Sequence, residues 1–408
     1  LLSEDALNDF FLPAQDCVKP VEVHKTQQDS SIKVDEAGKH WEVGKDGTEH
    51  ALETASITLN DCLACSGCVT TAESVLIGLQ SWSEVARVLA EVTVDAVSPS
   101  GRTRIVVASI SPQSIASIAA SFNLPRTTTF RKLKTLLKSL GFTHVVSTNP
   151  GREVSLHHAS QEFLRRRKEG ITGPLLAGAC PGWICYAEKQ KSSILPAISR
   201  VRSPQQLTGR MLKDVLTREL GCARREVVHV AIMPCFDKKL EASRQEFQEE
   251  EVRDVDTVVT SAEVVEMIRE SGCLFRELQE DGSSFGPESG RQPGSSSGGY
   301  LAHIMKEAAW ALHGIRLGSV EDDPRIRITK QRSPKLKEYE LLDSDGQTLL
   351  RFAEAYGFRQ ITSLTQKMAP KATNSRRQVK RVDYDYVEVM ACESGCINGG
   401  GQVKPPVD

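Results

Sequence analysis

The chain contains no apolar run approaching the ~18 residues that a membrane-spanning helix needs. Its first residues, LLSEDALNDFFLP, lack the basic start of a secretory signal. Aromatic residues make up only 5% of the 408 positions, and neither sign of charge dominates, the formal net charge being −2. That balance excludes a broad field favouring nucleic acid or an anionic membrane. The short basic runs Arg165–Lys168 and Lys371–Arg381 have no interleaved aromatics for bases to stack on, so both read as solvated surface or loop. No internal repeat is evident, and the chain opens on Leu1 rather than Met, as a sequence starting inside a longer chain does. Neither nucleic acid nor a membrane is therefore an expected partner.

What is present is cysteine, eleven in all. An odd count without an export signal fits a reduced compartment, cytoplasmic or also nuclear. There, spaced cysteines bind metal more often than they form disulfides. Cys62, Cys65 and Cys68 form a tight C-x2-C-x2-C run, whereas Cys180, Cys235, Cys392 and Cys396 are scattered.

Residues 1–96 read as a small N-terminal module with few long apolar runs, of the kind that a bound metal stabilises. From about residue 104, apolar runs alternate with amphipathic helices. Ile105–Ile110 (IVVASI), His144–Ser147, Pro174–Ala179 (PLLAGA) and Val227–Met233 (VVHVAIM) read as strands, and Thr129–Leu140 as a helix. Ser203-Pro204 opens another helix, which Gly221 closes. Thr260-Ser261-Ala262-Glu263 is a capping-box start. Strand and helix in alternation indicate an α/β fold with largely parallel sheets. The Gly/Ser/Pro-rich stretch 281–299 is either a flexible linker or a glycine-rich approach to a cofactor before a helix near Tyr300.

In open α/β sheets, ligands bind outside the carboxyl ends of the strands. Cys180 follows PLLAGA, Cys235 follows VVHVAIMP and Cys392 follows YVEVMA, so three strands would bring three thiolates to one crevice. Cys396, one helical turn beyond Cys392, can join them, and four such thiolates could hold a [4Fe–4S] cluster. A buried structural role is the commoner fate of a lone cysteine, and Cys222 and Cys273 read that way. Cys185, beside Trp183, reads as structural or as a neighbour of the site. The N-terminal run lacks the fourth local cysteine of bacterial ferredoxins, because Ala72-Glu73 stand where Cys-Pro would. Cys17 is the best candidate to complete it, and a four-cysteine zinc site is its rival. Trp183 reads as a core aromatic. Lys238 and Glu241, three apart, could pair on one helix face, or Lys238 could point at the inner cluster.

Three segments now resemble the active-site motifs of [FeFe]-hydrogenases: Ala179-Cys180-Pro181-Gly182-Trp183, Met233-Pro234-Cys235 through Lys238 to Glu241, and Met390-Ala391-Cys392 through Cys396 to Gln402. Together with Asn60-Asp61-Cys62-Leu63-Ala64-Cys65-Ser66-Gly67-Cys68, they look closer still to the eukaryotic hydrogenase-like proteins. Those are the cytosolic iron–sulfur assembly factors, also called nuclear prelamin A recognition factor-like proteins. The similarity runs from Leu7 to Gln402.

The resemblance implies a two-lobed α/β body with parallel sheets over 97–408 and a small ferredoxin-like N-terminal module. The lobes are expected at roughly 97–225 with the C-terminal segment, and at 226–360. It implies two [4Fe–4S] clusters, one on Cys17, Cys62, Cys65 and Cys68 and one between the lobes on Cys180, Cys235, Cys392 and Cys396. It further implies a non-catalytic role late in cytosolic iron–sulfur protein assembly, linking P-loop scaffold NTPases to a WD-repeat-containing targeting complex. Hydrogenases carry a proton-relaying cysteine immediately before the first of those inner ligands. Here that position is Ala179, which can neither donate nor accept a proton. Lys238 matches the lysine that contacts the diiron subsite's ligands in hydrogenases, so a redox enzyme that evolves or oxidises hydrogen is the alternative.

Overall fold

The computed structural model describes residues 31–34, 40–43, 49–51, 76–97, 104–283, 296–330, 336–368 and 383–403. Cys17, Cys62, Cys65 and Cys68 lie outside these residues, and with them the expected N-terminal cluster site. The chain divides into two units, Leu1–Ser74 and Val75–Asp408. In the first, β1 (Ser31–Val34), β2 (His40–Val43) and β3 (Glu49–Ala51) form an antiparallel sheet in the order β1-β2-β3.

The second unit begins with α1 (Trp82–Val97), β4 (Ile105–Ile110), α2 (Pro112–Ser121), α3 (Arg126–Ser139), β5 (His144–Ser147) and α4 (Asn149–Lys168). There follow β6 (Leu175–Ala177), α5 (Pro181–Gln190), α6 (Pro204–Leu220), β7 (Val227–Met233) and α7 (Asp237–Ala242). A short hairpin of β8 (Gln248–Glu249) and β9 (Val252–Arg253) leads to β10 (Thr257–Thr260) and α8 (Ser261–Glu270). The remainder is α9 (Tyr300–His313), β11 (Ile326–Lys330), β12 (Leu336–Leu342), β13 (Thr348–Tyr356), α10 (Phe358–Met368) and β14 (Tyr386–Met390).

Four strands make one sheet in the order β10-β7-β4-β5, every neighbour parallel. Parallel strands covered on both faces read as unbroken apolar runs, which is why IVVASI and VVHVAIM announce themselves. On one face Val106, Ala108, Ile110, Val230 and Ile232 pack against α2, α3 and α8. On the other, Val107 and Val227 meet Leu212 and Leu216 of α6.

The second sheet has the order β11-β12-β13-β14-β6, antiparallel through β13 and parallel from β13 to β6. Its successive residues face opposite sides, as the pleat requires. Phe352, Tyr386 and Leu175 pack with Phe163 of α4 and Ile304 of α9. Ala353, Ala355, Val387 and Leu176 pack with Trp183 of α5 and Ile361 of α10.

Helix ends follow local chemistry. Thr260 and Glu263 form the capping box, Thr260 Oγ1 accepting from Glu263 N at 3.3 Å and Thr260 N donating to Glu263 Oε2 at 2.6 Å. Gly221, with φ +65°, ends α6 in the left-handed conformation that costs glycine nothing. At the start of α6 the Ser203 hydroxyl does not cap; it donates to the Glu241 carboxylate instead. The helix expected at Thr129–Leu140 starts earlier, at Arg126, just after Pro125.

The first unit ends at Ser74, and α1 belongs to the second, where it buries Val85 and Leu89 in the core of the first sheet. Gln80 ties the same segment down, donating to Lys239 O at 2.8 Å and accepting from Val258 N at 3.1 Å. Each sheet draws strands from both halves of the chain: β7 inserts between β4 and β10, while β11, β12 and β13 join β14 and β6. Parallel neighbours need long crossovers, and here the crossovers carry the chain from one sheet to the other and back.

Candidate metal centre

Both sheets deliver cysteines from the carboxyl ends of their strands. From the second sheet, β6 runs through Gly178 and Ala179 to Cys180 at the head of α5, and β14 runs through Ala391 to Cys392. From the first, β7 runs through Pro234 to Cys235. Beyond β14, Ser394 and Gly395 both take positive φ, +64° and +81°, and this turn places Cys396 at the start of a 3-10 turn, Cys396–Asn398. Gly178 has no choice of side chain, since a Cβ there would strike the carbonyl of Val389 on the adjacent strand.

Three of the four thiols sense others of the set. Burial first, then the charge of Cys396, pushes Cys180 up to about 12. Burial and Asp237 push Cys235 well up, and Cys392, Cys180 and Cys396 add to it. Cys392 is likewise raised by burial, then by Cys180 and Cys396. Cys396 is raised by burial against the opposing pull of the Ser297 hydroxyl and the Lys238 ammonium. Thiols raised by their neighbours in this way share one enclosed space with Cys396, and they become thiolates there only if cationic metal balances them. Backbone N–H groups already point at the sulfurs: Ala391 N donates to Cys180 Sγ at 3.3 Å, and the amide of Gly400 favours the Cys392 thiolate.

Among the described residues, no three His, Cys, Asp or Glu side chains close around a single metal ion. A tetrahedral zinc with bonds of ~2.3 Å would need its thiolates about 3.8 Å apart. A four-iron cube places iron at each corner facing a thiolate, so its ligands stand further apart. The donor set thus fits a polynuclear iron–sulfur group better than a lone ion. The surrounding glycines leave no space for side chains. A Cβ on Gly395 would strike the hydroxyls of Ser296 and Ser297, one on Gly399 the carbonyl of Pro234, and one on Gly401 would lie 2.6 Å from Thr260 Cγ2.

Lys238 and Glu241 are both buried and paired at 2.6 Å, the i,i+3 contact that their spacing suggested. Burial alone would lower Lys238, but Glu241 and then Cys235 and Cys396 hold it above its ordinary value, so the ammonium also faces the thiols. Trp183 is fully buried against the second sheet. Cys185 is buried with Arg244 Nη2 at 3.8 Å. Cys222 and Cys273 are partly buried against the first sheet's cores. A cavity of about 370 Å³ opens beside Ala179 and Cys180, walled by Ser199, Arg202, Ser203 and Glu241.

The residues that spacing alone missed are two serines of the Gly/Ser-rich stretch and Gln113 of α2. Ser297 Oγ accepts from Cys396 N at 3.1 Å, and the Ser296 hydroxyl donates to Ser394 O. Gln113 Nε2 reaches Ser296 O at 3.3 Å, and Gln402 Nε2 reaches Gln113 O at 2.9 Å. Residues 296–299 of that stretch thus sit against the Cys396 loop, while 284–295 lie outside the described residues. The signal for the serines was the Ser-Ser-Gly-Gly run directly before α9.

Residues 104–400 match the family described as iron only hydrogenase large subunit, C-terminal domain, which fixes the class of the fold and of its cysteine crevice. An [FeFe]-hydrogenase structure described as HydA(deltaEFG) aligns with a TM-score of 0.66 at 28% identity, covering 80% of this chain and 85% of that one. Similarity over the whole chain is higher. The cytosolic Fe-S cluster assembly factor NAR1 of Yarrowia lipolytica is 42% identical over 100% of this chain and 87% of its own length. The cytosolic iron-sulfur assembly component 3 of Rattus norvegicus is 44% identical over 98% of this chain and 83% of its own. The chain belongs to the family of cytosolic iron–sulfur cluster assembly factors.

Proposed function

We propose that the protein acts late in cytosolic iron–sulfur protein assembly, as an adaptor or transfer factor without hydrogenase activity. Cys180, Cys235, Cys392 and Cys396 would hold one [4Fe–4S] cluster, and Cys17, Cys62, Cys65 and Cys68 a second. The observation that carries the inner site is the delivery of Cys180, Cys235 and Cys392 from strand ends of both sheets to one place with Cys396, whose charge raises all three. A bound cluster supplies one-electron chemistry and a transferable metal–sulfide unit. The chain supplies thiolates, the Ala391 and Gly400 amides beside the sulfurs, and a Lys238 ammonium that offsets negative charge. The partners are P-loop scaffold NTPases on one side and a WD-repeat-containing targeting complex on the other. The relatives' names support the assembly role and a cytosolic location, and a nuclear presence is part of the proposal alone.

A second reading, hydrogen evolution or oxidation, draws on the cavity beside Cys180 and the buried Lys238. Ala179 counts against it, since a methyl group cannot carry a proton into that cavity. Anaerobic iron and acid-labile sulfide analysis with EPR separates the readings. About eight of each per chain, with two cubane signals and no carbonyl or cyanide infrared bands, supports the assembly factor. Carbonyl and cyanide bands would favour the enzyme, and zinc without sulfide would overturn both.

A further inference from the structure

Beneath α9 the second sheet buries two carboxylates side by side. Glu354 of β13 and Glu388 of β14 are direct partners in the parallel register, 7% and 0% exposed. Glu388 accepts from Leu301 N, in the first turn of α9, at 2.8 Å and from the Tyr356 hydroxyl at 2.9 Å. A helix N-terminus and a phenol donor both favour its anionic form. Two like charges opposite one another on buried strands repel, so a proton on the other carboxyl relieves the pair. Burial, and next the charge of Glu388, raise Glu354 to about 7.

Glu354 also walls a cavity of about 340 Å³ whose rim residues Gly318, Ser319 and Glu321 are exposed. The groups facing it come from every neighbouring element. Lys337 of β12 lies 3.7 Å away, Tyr339 of β12 bonds it, Glu388 lies opposite on β14, and Glu321 of the loop after α9 and Lys306 of α9 share the cavity. At the other end, Tyr356 abuts the cysteine loop, where a Cβ on Gly395 would lie 3.2 Å from the Tyr356 ring. The charge of Glu388 reaches Cys396 itself.

We propose that Glu354 and Glu388 are a proton-loading site for the inner metal centre, filled through the cavity when that centre is reduced and emptied when it is reoxidised. The proposal rests on Cys180, Cys235, Cys392 and Cys396 being the cluster ligands. The electron comes from an external one-electron reductant and the proton from bulk water onto a Glu354 carboxylate oxygen. No bond within the protein breaks, and reoxidation returns both. Uptake of a proton beside a centre gaining negative charge keeps the buried charge constant, which a low-dielectric interior strongly favours. Glu354 and Glu388 act through charge and are positioning residues in this scheme.

The test is an EPR-monitored redox titration of the cluster-loaded protein between about pH 5.5 and 8.5. Dithionite serves as reductant, with reaction-induced infrared difference spectra taken alongside. In the unaltered protein the inner potential should fall by about 59 mV for each tenfold drop in proton activity near neutrality. A protonated-carboxyl band should appear on reduction. Glu354→Gln should flatten that slope and abolish the band while iron content is unchanged. Lys337→Met, at an exposed cation, removes the charge that favours ionised Glu354 and should move the sloping window to higher pH. This variant decides the matter if Glu354→Gln loses its cluster. A flat potential in the unaltered protein, a slope that survives Glu354→Gln, or a window that Lys337→Met leaves in place would each overturn the proposal. Absence of an inner-cluster signal in the unaltered protein would instead overturn the ligand assignment beneath it.

Discussion

The two sheets of the second unit solve the problem of a buried strand in different ways. The first is built from apolar runs and buries His229, with Nε2 2.8 Å from Ser109 Oγ and Nδ1 3.2 Å from Asp254 O. Burial lowers that imidazole to about 3 and keeps it neutral. The second sheet buries Tyr339, Glu354, Tyr356, Tyr386 and Glu388 within its strands. Polar groups survive there because α9 and the tyrosine hydroxyls partner the carboxylates. The first sheet gives the crevice Cys235 from the end of an interior apolar strand, whereas the second gives Cys180, Cys392 and Cys396 beside a charge-bearing core. An apolar platform and a polar, titratable one meet at the same site.

The largest break in this comparison is Cys392→Ala. It should remove the inner cluster, halving iron and sulfide per chain, and leave a visibly lower melting temperature. Unchanged iron content and stability would count against Cys392 as a ligand. Next, Phe352→Ala removes a ring that meets Phe163 edge-on and Tyr386 at a tilt, with centroids 5.3 and 5.2 Å away. It should destabilise the second sheet by about 3–5 kcal/mol in denaturant unfolding. A loss within about 0.5 kcal/mol would show that this core is not close-packed.

The pH responses of the two sheets should oppose each other. His229 has a folded value of about 3 against an ordinary 6.5, so the unfolded chain binds more protons between them. Its contribution is present above about pH 6.5 and is lost as pH falls, by about 1.4 kcal/mol per unit. Glu354 is raised from 4.5 to about 7, so its contribution is fully present below 4.5 and is lost as pH rises through that window. Stability measured against pH should lose its acid limb in His229→Gln and its neutral limb in Glu354→Gln. Identical profiles in the variants would sink the contrast. The smallest effect is Thr260→Ala, which removes the capping box of α8 beside the first sheet and should cost about 1 kcal/mol.

Much of the first sheet was legible because its strands are apolar on both faces and its helices begin at recognisable caps, Thr260 among them. The second sheet was harder to read. β13 carries Glu354 and Arg351 among its apolar residues, so no pattern marks it as buried. Its polarity is satisfied only by residues far along the chain, such as Leu301. Helix α1 was read with the N-terminal module because its packing partners, Leu136 and Met267 among the same core, lie far downstream. At the crevice, cysteine spacing and strand endings named Cys180, Cys235, Cys392 and Cys396, while Ser297 and Gln113 were invisible to it.

The sequence by itself determined which chemistry could occur: soft thiol donors at strand ends, glycines where no side chain fits, and an alanine at 179 that cannot relay a proton. These follow from residue identity and local backbone geometry, which travel with the chain. Only the tertiary structure decided that strands from separate stretches interleave into two sheets and that Lys238 faces both Glu241 and the thiols. It alone set Glu354 against Glu388. Burial and the field of one charge on another depend on distances between residues far apart in sequence, and folding alone sets those distances.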